Sequence, residues 1–308
     1  MQIGMVGLGR MGANMTRRLA AGGIDVVGFD ASQAARSALA GAAHVSSVAD
    51  LPALIAALNA PRIVWMMLPA GDISEHTIAE LAQRLARGDM VVDGANAYYK
   101  DSIRHAEELA ARGIGFADAG VSGGIWGLQN GYAMMVGGTQ ASFARVAPLV
   151  KILAPAPDRG WLHCGAAGSG HFVKMIHNGI EYGMMQAYAE GLSLLEAKKE
   201  FAIDVAAVSE MWRDGSVIRS WLLDLIADTL TRGTQLDGIK PFVADSGEGR
   251  WTAVEAVDLG IPAPVISLAL MMRFATQGSN DYAAKLVALM REGFGGHVVR
   301  REPSAKGD

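Results

Sequence analysis

Residues 2–12 read QIGMVGLGRMG, and the fold follows from them. The apolar run up to Val6 makes a short strand. Gly7, Gly9 and Gly12 then form G-x-G-x-x-G at the mouth of a helix candidate over 10–21. The first glycine permits a tight turn, the second lets backbone approach a pyrophosphate, and the third lets helix and strand pack closely. The start of such a helix offers free N–H groups and the positive end of its dipole. In a chain with 38 glycines the motif arises easily by chance, so its surroundings decide.

Those surroundings alternate strand and helix. Strand candidates are 2–7, 25–30, 62–68, 89–94, 115–120 and 132–138, with helical spacing near 10–21, 32–40, 50–58, 73–86, 99–112 and 140–151. Alternation of this kind predicts a mostly parallel, doubly wound α/β sheet, a Rossmann domain over residues 1–165 closed by a short WLHCG strand. From 166 to 308 only helical patterns follow, near 167–198, 203–213, 217–231, 250–259, 263–277 and 282–291. The expectation there is an all-α substrate and dimerisation domain with one long interlocking helix. A helix of about 30 residues spans roughly 45 Å and needs a partner along its length. The loop 233–249 is long for a compact domain and is expected to be functional.

The second strand candidate, DVVGFD, ends in Asp30, where a carboxylate accepts from both ribose hydroxyls and repels a 2′-phosphate. No arginine follows directly, although Arg36 stands on the next helix. The expected cofactor is NAD, with NADP a weaker alternative. Its contacts are Gly7, Leu8, Gly9, Arg10, Met11, Gly12 and Asp30, with Leu68, Pro69 and Asn96 bordering the nicotinamide side. Asn96 also reaches substrate. A Rossmann-like domain without cofactor is the structural alternative.

Composition excludes other classes. At 308 residues, 51% hydrophobic and 19% charged, the chain can bury a substantial core. A net charge of −4 gives no global reason to bind nucleic acid or acidic lipid, so an anionic substrate needs a local cation cluster. The single cysteine, Cys164, cannot form an internal disulfide or a multi-cysteine metal site. The first residues lack the pattern of a signal peptide and no window has 18 uninterrupted apolar residues, so a cytoplasmic protein away from membranes is expected.

The chemistry concentrates in HFVKMIHNGIEY (171–182). Lys174, His177, Asn178 and Glu181 sit at i, i+3, i+4 and i+7, so a helix puts a base, two hydrogen-bonding groups and an acid on one face. Tyr182 lies at the same edge. A solvated Lys-to-Glu face accounts for the same spacing. VSGG (121–124) supplies Ser122 and the amides of Gly123 and Gly124 for a carboxylate, or is simply a tight turn.

Together these segments resemble the 6-phosphogluconate dehydrogenases, in particular a short, decarboxylating, NAD-preferring form within the β-hydroxyacid dehydrogenases. The resemblance runs from GLGRMG to FGGH (294–297). It implies Lys174 as base for the C3 hydroxyl and Glu181 as the acid that protonates C1 of the enediol. Asn178 and His177 orient hydroxyls, and Ser122, Gly123 and Gly124 hold the carboxylate. The 6-phosphate falls to Tyr182, Arg250, Thr252, Arg273 and the partner's Arg291, with His297 beside it. The C-terminal pair, Arg291 and His297, implies a homodimer or higher homo-oligomer. In this family lysine commonly stands where Arg250 does, and Ile125 and Trp126 replace acidic residues of the long form. A lysine acts as base only when its surroundings bring its pKa down from about 10.4. No metal is expected, because a β-keto acid supplies its own electron sink. The competing readings are a β-hydroxyacid dehydrogenase for a small non-phosphorylated acid and a non-catalytic NAD-binding sensor.

Overall fold

The computed structural model describes residues 1–233, 238–278, 281–295 and 298–299. The chain divides into two compact units, Met1–Asn178 and Gly179–Asp308. This division falls inside the long helix that begins at Ser169, whose first turns are held by the sheet.

The first unit is one eight-stranded sheet in the order β3-β2-β1-β4-β5-β6-β7-β8. Its strands are β1 (Gln2–Val6), β2 (Asp25–Phe29), β3 (Val45–Val48), β4 (Ile63–Met66), β5 (Met90–Asp93), β6 (Gly115–Ser122), β7 (Ala133–Gly138) and β8 (Trp161–Gly165). All neighbours pair in parallel except β6 and β7, which are antiparallel. Between them lie α1 (Arg10–Ala21), α2 (Gln33–Ser37), α3 (Leu51–Ala57), α4 (Asp72–Arg84), α5 (Tyr99–Ala110), α6 (Gly127–Asn130) and α7 (Gln140–Leu153). The expected elements form, and β3 is added to them. Its Ser46 and Ser47 are exposed at the sheet edge, so it carries no apolar run for a sequence reading to find.

Helices cover both faces because strand side chains alternate. Met5, Trp65 and Val92 point into a core shared with Met15 and Leu19 of α1 and Val146 and Leu149 of α7. Their neighbours Val6, Val64, Met66 and Val91 enter a second core with Leu54 of α3, Leu81 of α4 and Leu109 of α5. Side-chain caps fix several helix starts: Asp50 accepts from Ala53 N–H at 2.8 Å, and Thr139 from Ser142 N–H at 3.0 Å.

The long helix α8 (Ser169–Ala197) leads into the second unit. There α9 (Val205–Trp212), α10 (Trp221–Thr231), α11 (Glu248–Asp258), α12 (Pro264–Thr276) and α13 (Asp281–Gly295) follow. Tyr182, Ala269 and Leu270 form its small core with Ala253 and Phe274 against them. Much of its apolar surface stays outside: Leu194 is 73% exposed, Val217 99% and Val257 80%. Among the described residues no helix is long and apolar enough to cross a membrane.

Candidate active site

The glycine loop separates its three roles by geometry. Gly7 has φ +90, and a Cβ there would lie 2.4 Å from the Met67 carbonyl oxygen. A Cβ on Gly12 would lie 1.9 Å from the Gly7 oxygen, so only glycine lets α1 start against β1. Gly9, the N-cap of α1, would meet nothing within 4 Å, and no side chain caps the helix. The helix start therefore has room at Gly9 and no side-chain acceptor of its own, which suits an anion there. Leu8 is buried and packs on Gly28, while its N–H donates to Asp30 Oδ2 at 2.7 Å. Ser32 N–H donates to Asp30 Oδ1 at 2.8 Å. Two of about four lone-pair sites on this carboxylate stay available for hydroxyl donors. Arg36 Nη1 donates to the carbonyls of Asp30 and Ala31, at 2.5 and 3.3 Å.

Arg10 is exposed, and Met11 packs half-buried against the core below. Leu68 and Pro69 follow the carboxyl end of β4, and Asn96 stands exposed three residues beyond β5. Open α/β sheets bind ligands at those strand ends. The cradle thus fits a dinucleotide: an uncapped helix start, an open glycine and a fixed carboxylate at the end of β2.

Beyond the sheet's centre, Gly120 of β6 lets α8 approach. A Cβ on it would sit 2.4 Å from the Cβ of Lys174. Lys174 and Asn178 are 7% and 8% exposed. Lys174 Nζ donates to Asn178 Oδ1 at 2.7 Å, and His177 Nδ1 lies 3.1 Å from the same oxygen. An amide oxygen only accepts, so Nδ1 carries the proton. In the neutral ring Nε2 then accepts from Ser122 Oγ, 3.3 Å away. Ser122, His177, Asn178 and Lys174 thus form one chain of hydrogen bonds. β6 ends at Ser122, and Gly123 (φ +138) and Gly124 (φ +50) turn the chain into a 3-10 turn over Gly124–Trp126. A Cβ on Gly124 would meet nothing within 4 Å, so this backbone too is open to a ligand.

The residue that caps this helix went unread in the sequence. Asp118, fully buried on β6, accepts from Gly168 N–H at 2.7 Å and His171 N–H at 2.8 Å. A carboxylate from a neighbouring strand therefore caps α8 and complements its dipole. Buried His171 Nδ1 also meets Ser102 Oγ of α5 at 2.7 Å. The available signal was a charged residue inside the small-residue strand GFADAG, but nothing in one sequence names its distant partner.

In the second unit Glu181 is half-buried and Tyr182 is 5% exposed. Tyr182 stacks beneath the Arg273 guanidinium, 3.3 Å from ring centroid to Cζ. Ser246 Oγ donates to Glu248 Oε2 at 2.6 Å, which leaves Tyr182 as donor in its 3.2 Å contact with Ser246. Arg273 Nη1 donates to the Ala244 carbonyl at 3.0 Å. Arg250 is paired with Asp245. Thr252 is buried, its hydroxyl donating to the Glu248 carbonyl at 2.8 Å. The structure thus brings Tyr182 and Arg273 together and adds Asp245, Ser246 and Glu248, which sequence reading did not single out. Arg291 is exposed on α13, and His297 lies outside the described residues. Among the described residues no cluster of three or more His, Cys, Asp or Glu could hold a metal ion.

Comparison with known proteins agrees in both units. Residues 2–165 match the NAD binding domain of 6-phosphogluconate dehydrogenase, and residues 170–284 its C-terminal domain. The Bacillus subtilis protein YqeC is 41% identical over 302 residues, 98% of this chain and 100% of that one. An NAD(+)-dependent, decarboxylating 6-phosphogluconate dehydrogenase of Haloferax volcanii is 40% identical, with 98% of this chain and 99% of the relative covered. The solved Plasmodium falciparum 6-phosphogluconate dehydrogenase superposes with a TM-score of 0.81 at 26% identity, over 99% of this chain and 67% of that one.

Proposed function

The chain belongs to the 6-phosphogluconate dehydrogenase family, and we propose that it oxidises and decarboxylates 6-phospho-D-gluconate to ribulose 5-phosphate and carbon dioxide with reduction of NAD. The observation that carries this reading is the buried chain of hydrogen bonds from Lys174 through Asn178 and His177 to Ser122. It holds a base, an amide and an imidazole in fixed order beside an open glycine turn. NAD, cradled by Gly7, Gly9, Gly12 and Asp30, supplies the hydride acceptor.

Lys174 takes the proton of the C3 hydroxyl as C3 is oxidised to the ketone. Asn178 and His177 orient the hydroxyls, and Ser122 with the Gly123 and Gly124 amides holds the carboxylate. After carbon dioxide leaves, protonated Lys174 stabilises the enolate oxygen. Glu181, two helical turns further along α8, delivers the proton to C1. Tyr182, Arg250, Thr252 and Arg273 bind the 6-phosphate.

The reading extends to a cytoplasmic homodimer acting in gluconate utilisation and the pentose phosphate pathway. The exposed apolar residues of the helical unit support a partner, and Arg291 and His297 would complete that partner's site. A spectrophotometric assay of 6-phosphogluconate and gluconate with each nicotinamide cofactor tests it. Absorbance at the reduced cofactor's wavelength should rise with 6-phosphogluconate and NAD, and faster than with NADP. Turnover of gluconate but not its 6-phosphate would move the chain to the small-acid dehydrogenases.

A further inference from the structure

Arg250 already holds an anion, and the anion is part of the chain. Its Nε and Nη2 both donate to Asp245 Oδ2, at 3.0 and 2.7 Å. The Asp245 side chain is 7% exposed, whereas that of Arg250 is 58% exposed. Asp245 Oδ1 in turn accepts from Gly247 N–H at 3.1 Å. The Nε/Nη2 edge is the fork an arginine uses to grip a carboxylate or a phosphate through two bonds. The guanidinium also lies 5.1 Å from the centre of the Phe274 ring, a cation–π contact.

The same short segment occupies two other candidate phosphate ligands. Ala244 takes a hydrogen bond from Arg273, and Ser246 takes the Tyr182 hydroxyl proton. With its proton given to Ser246, Tyr182 can offer an incoming phosphate only lone pairs, which repel it. Residues 244–246 therefore satisfy three groups that the proposed substrate must recruit.

We infer that Asp245 is a specificity determinant, a tethered carboxylate that a phosphate monoester must displace from Arg250. This inference rests on the substrate reading above. A carboxylate on a free ligand has the same charge as Asp245 and lacks its high effective concentration, so it loses the competition. A phosphate dianion brings twice the charge and three acceptor oxygens, and it wins. The segment then releases Arg250, Arg273 and Tyr182 together. Non-phosphorylated sugar acids are rejected by a rival that the chain carries with it.

The test uses the full-length protein and two competitive inhibitors of 6-phosphogluconate oxidation: inorganic phosphate, and glucarate, which has a carboxylate in place of the phosphate-bearing carbon. Asp245→Asn should lower both inhibition constants by about two- to fivefold, the scale of a partly exposed ion pair, with glucarate gaining the more. In an Arg250→Gln background the same substitution should change neither constant. Constants that rise or stay level in Asp245→Asn overturn the inference, since Asp245 would then only position Arg250. A measurement without a variant checks the same point. The Gly247 amide of the unaltered protein should exchange faster with saturating phosphate, and slower or equal exchange overturns the displacement. Calorimetry of phosphate binding keeps the two readings apart. If the unaltered protein does not turn over 6-phosphogluconate, the substrate reading fails; if it does and Asp245→Asn binds phosphate no tighter, only this inference fails.

Discussion

Lys174 Nζ lies 2.7 Å from Asn178 Oδ1, one turn on in the same helix, and both side chains are more than nine-tenths buried. In the proposed reaction this contact sets where the proton is taken. Lys174→Met keeps the packing volume and removes the base, so NAD reduction should fall about 10²- to 10⁴-fold while NAD still binds. Glu181→Gln should instead suppress tritium uptake at C1 of the product more than it slows NADH formation. Near-normal NADH formation in Lys174→Met would remove the base from this position.

Gly9 and Gly12 predict opposite outcomes for the same substitution. A Cβ on Gly12 would strike the Gly7 oxygen at 1.9 Å, whereas one on Gly9 would meet nothing within 4 Å. Gly12→Ala should therefore cost about 1–3 kcal/mol of stability and lower the melting temperature of the ligand-free protein. Gly9→Ala should cost about 1 kcal/mol or less, the scale of a poorer N-cap, yet weaken NAD binding. Calorimetric melts beside cofactor titrations decide it. The idea fails if both variants melt alike and bind NAD alike.

The fold was legible because strand and helix alternate with clean periods, and because Gly7, Gly9 and Gly12 each have a distinct local task. The clustering of the candidate stripe was legible for a similar reason: Lys174, His177 and Asn178 are neighbours on one helix, so spacing alone brings them together. β3 was not, since an exposed edge strand with two serines carries no apolar pattern. Asp118 was not legible either. Its partners, Gly168 and His171, lie 50 and 53 residues away, and such a pairing exists only once β6 and α8 have met. Thr252 was singled out by its place in EGRWT, but its buried hydroxyl's bond to the Glu248 carbonyl one turn back comes only from the folded helix.

Asp30 has a structural task as well as the proposed cofactor task. It accepts from the Leu8 and Ser32 amides, so Asp30→Ala loosens the glycine turn and should weaken both NAD and NADP. Only the ribose role predicts an asymmetry. A hydrogen bond to a charged acceptor is worth about 1.5–3 kcal/mol, so the KM for NAD should rise roughly tenfold more than that for NADP, which is also relieved of repulsion. Equal losses in the two saturation curves would leave Asp30 with the turn alone.

Asp118 caps the helix that carries Lys174, and its loss should therefore register twice. Asp118→Asn keeps the shape but replaces one acceptor oxygen with a donor that faces the Gly168 or the His171 amide. A buried amide left without an acceptor costs about 1–3 kcal/mol, and the melting temperature should fall accordingly. The start of α8 is also packed so tightly that a Cβ on Gly170 would lie 2.4 Å from the Met135 oxygen. Release of the cap therefore shifts Lys174 relative to Ser122 on β6. The expected signature is a lower kcat with NAD affinity retained, because Gly7, Gly9 and Asp30 are untouched. Steady-state kinetics measured well below the melting temperature separates this from simple unfolding. A variant that melts lower but turns over normally would show that the cap stabilises α8 without aiming it.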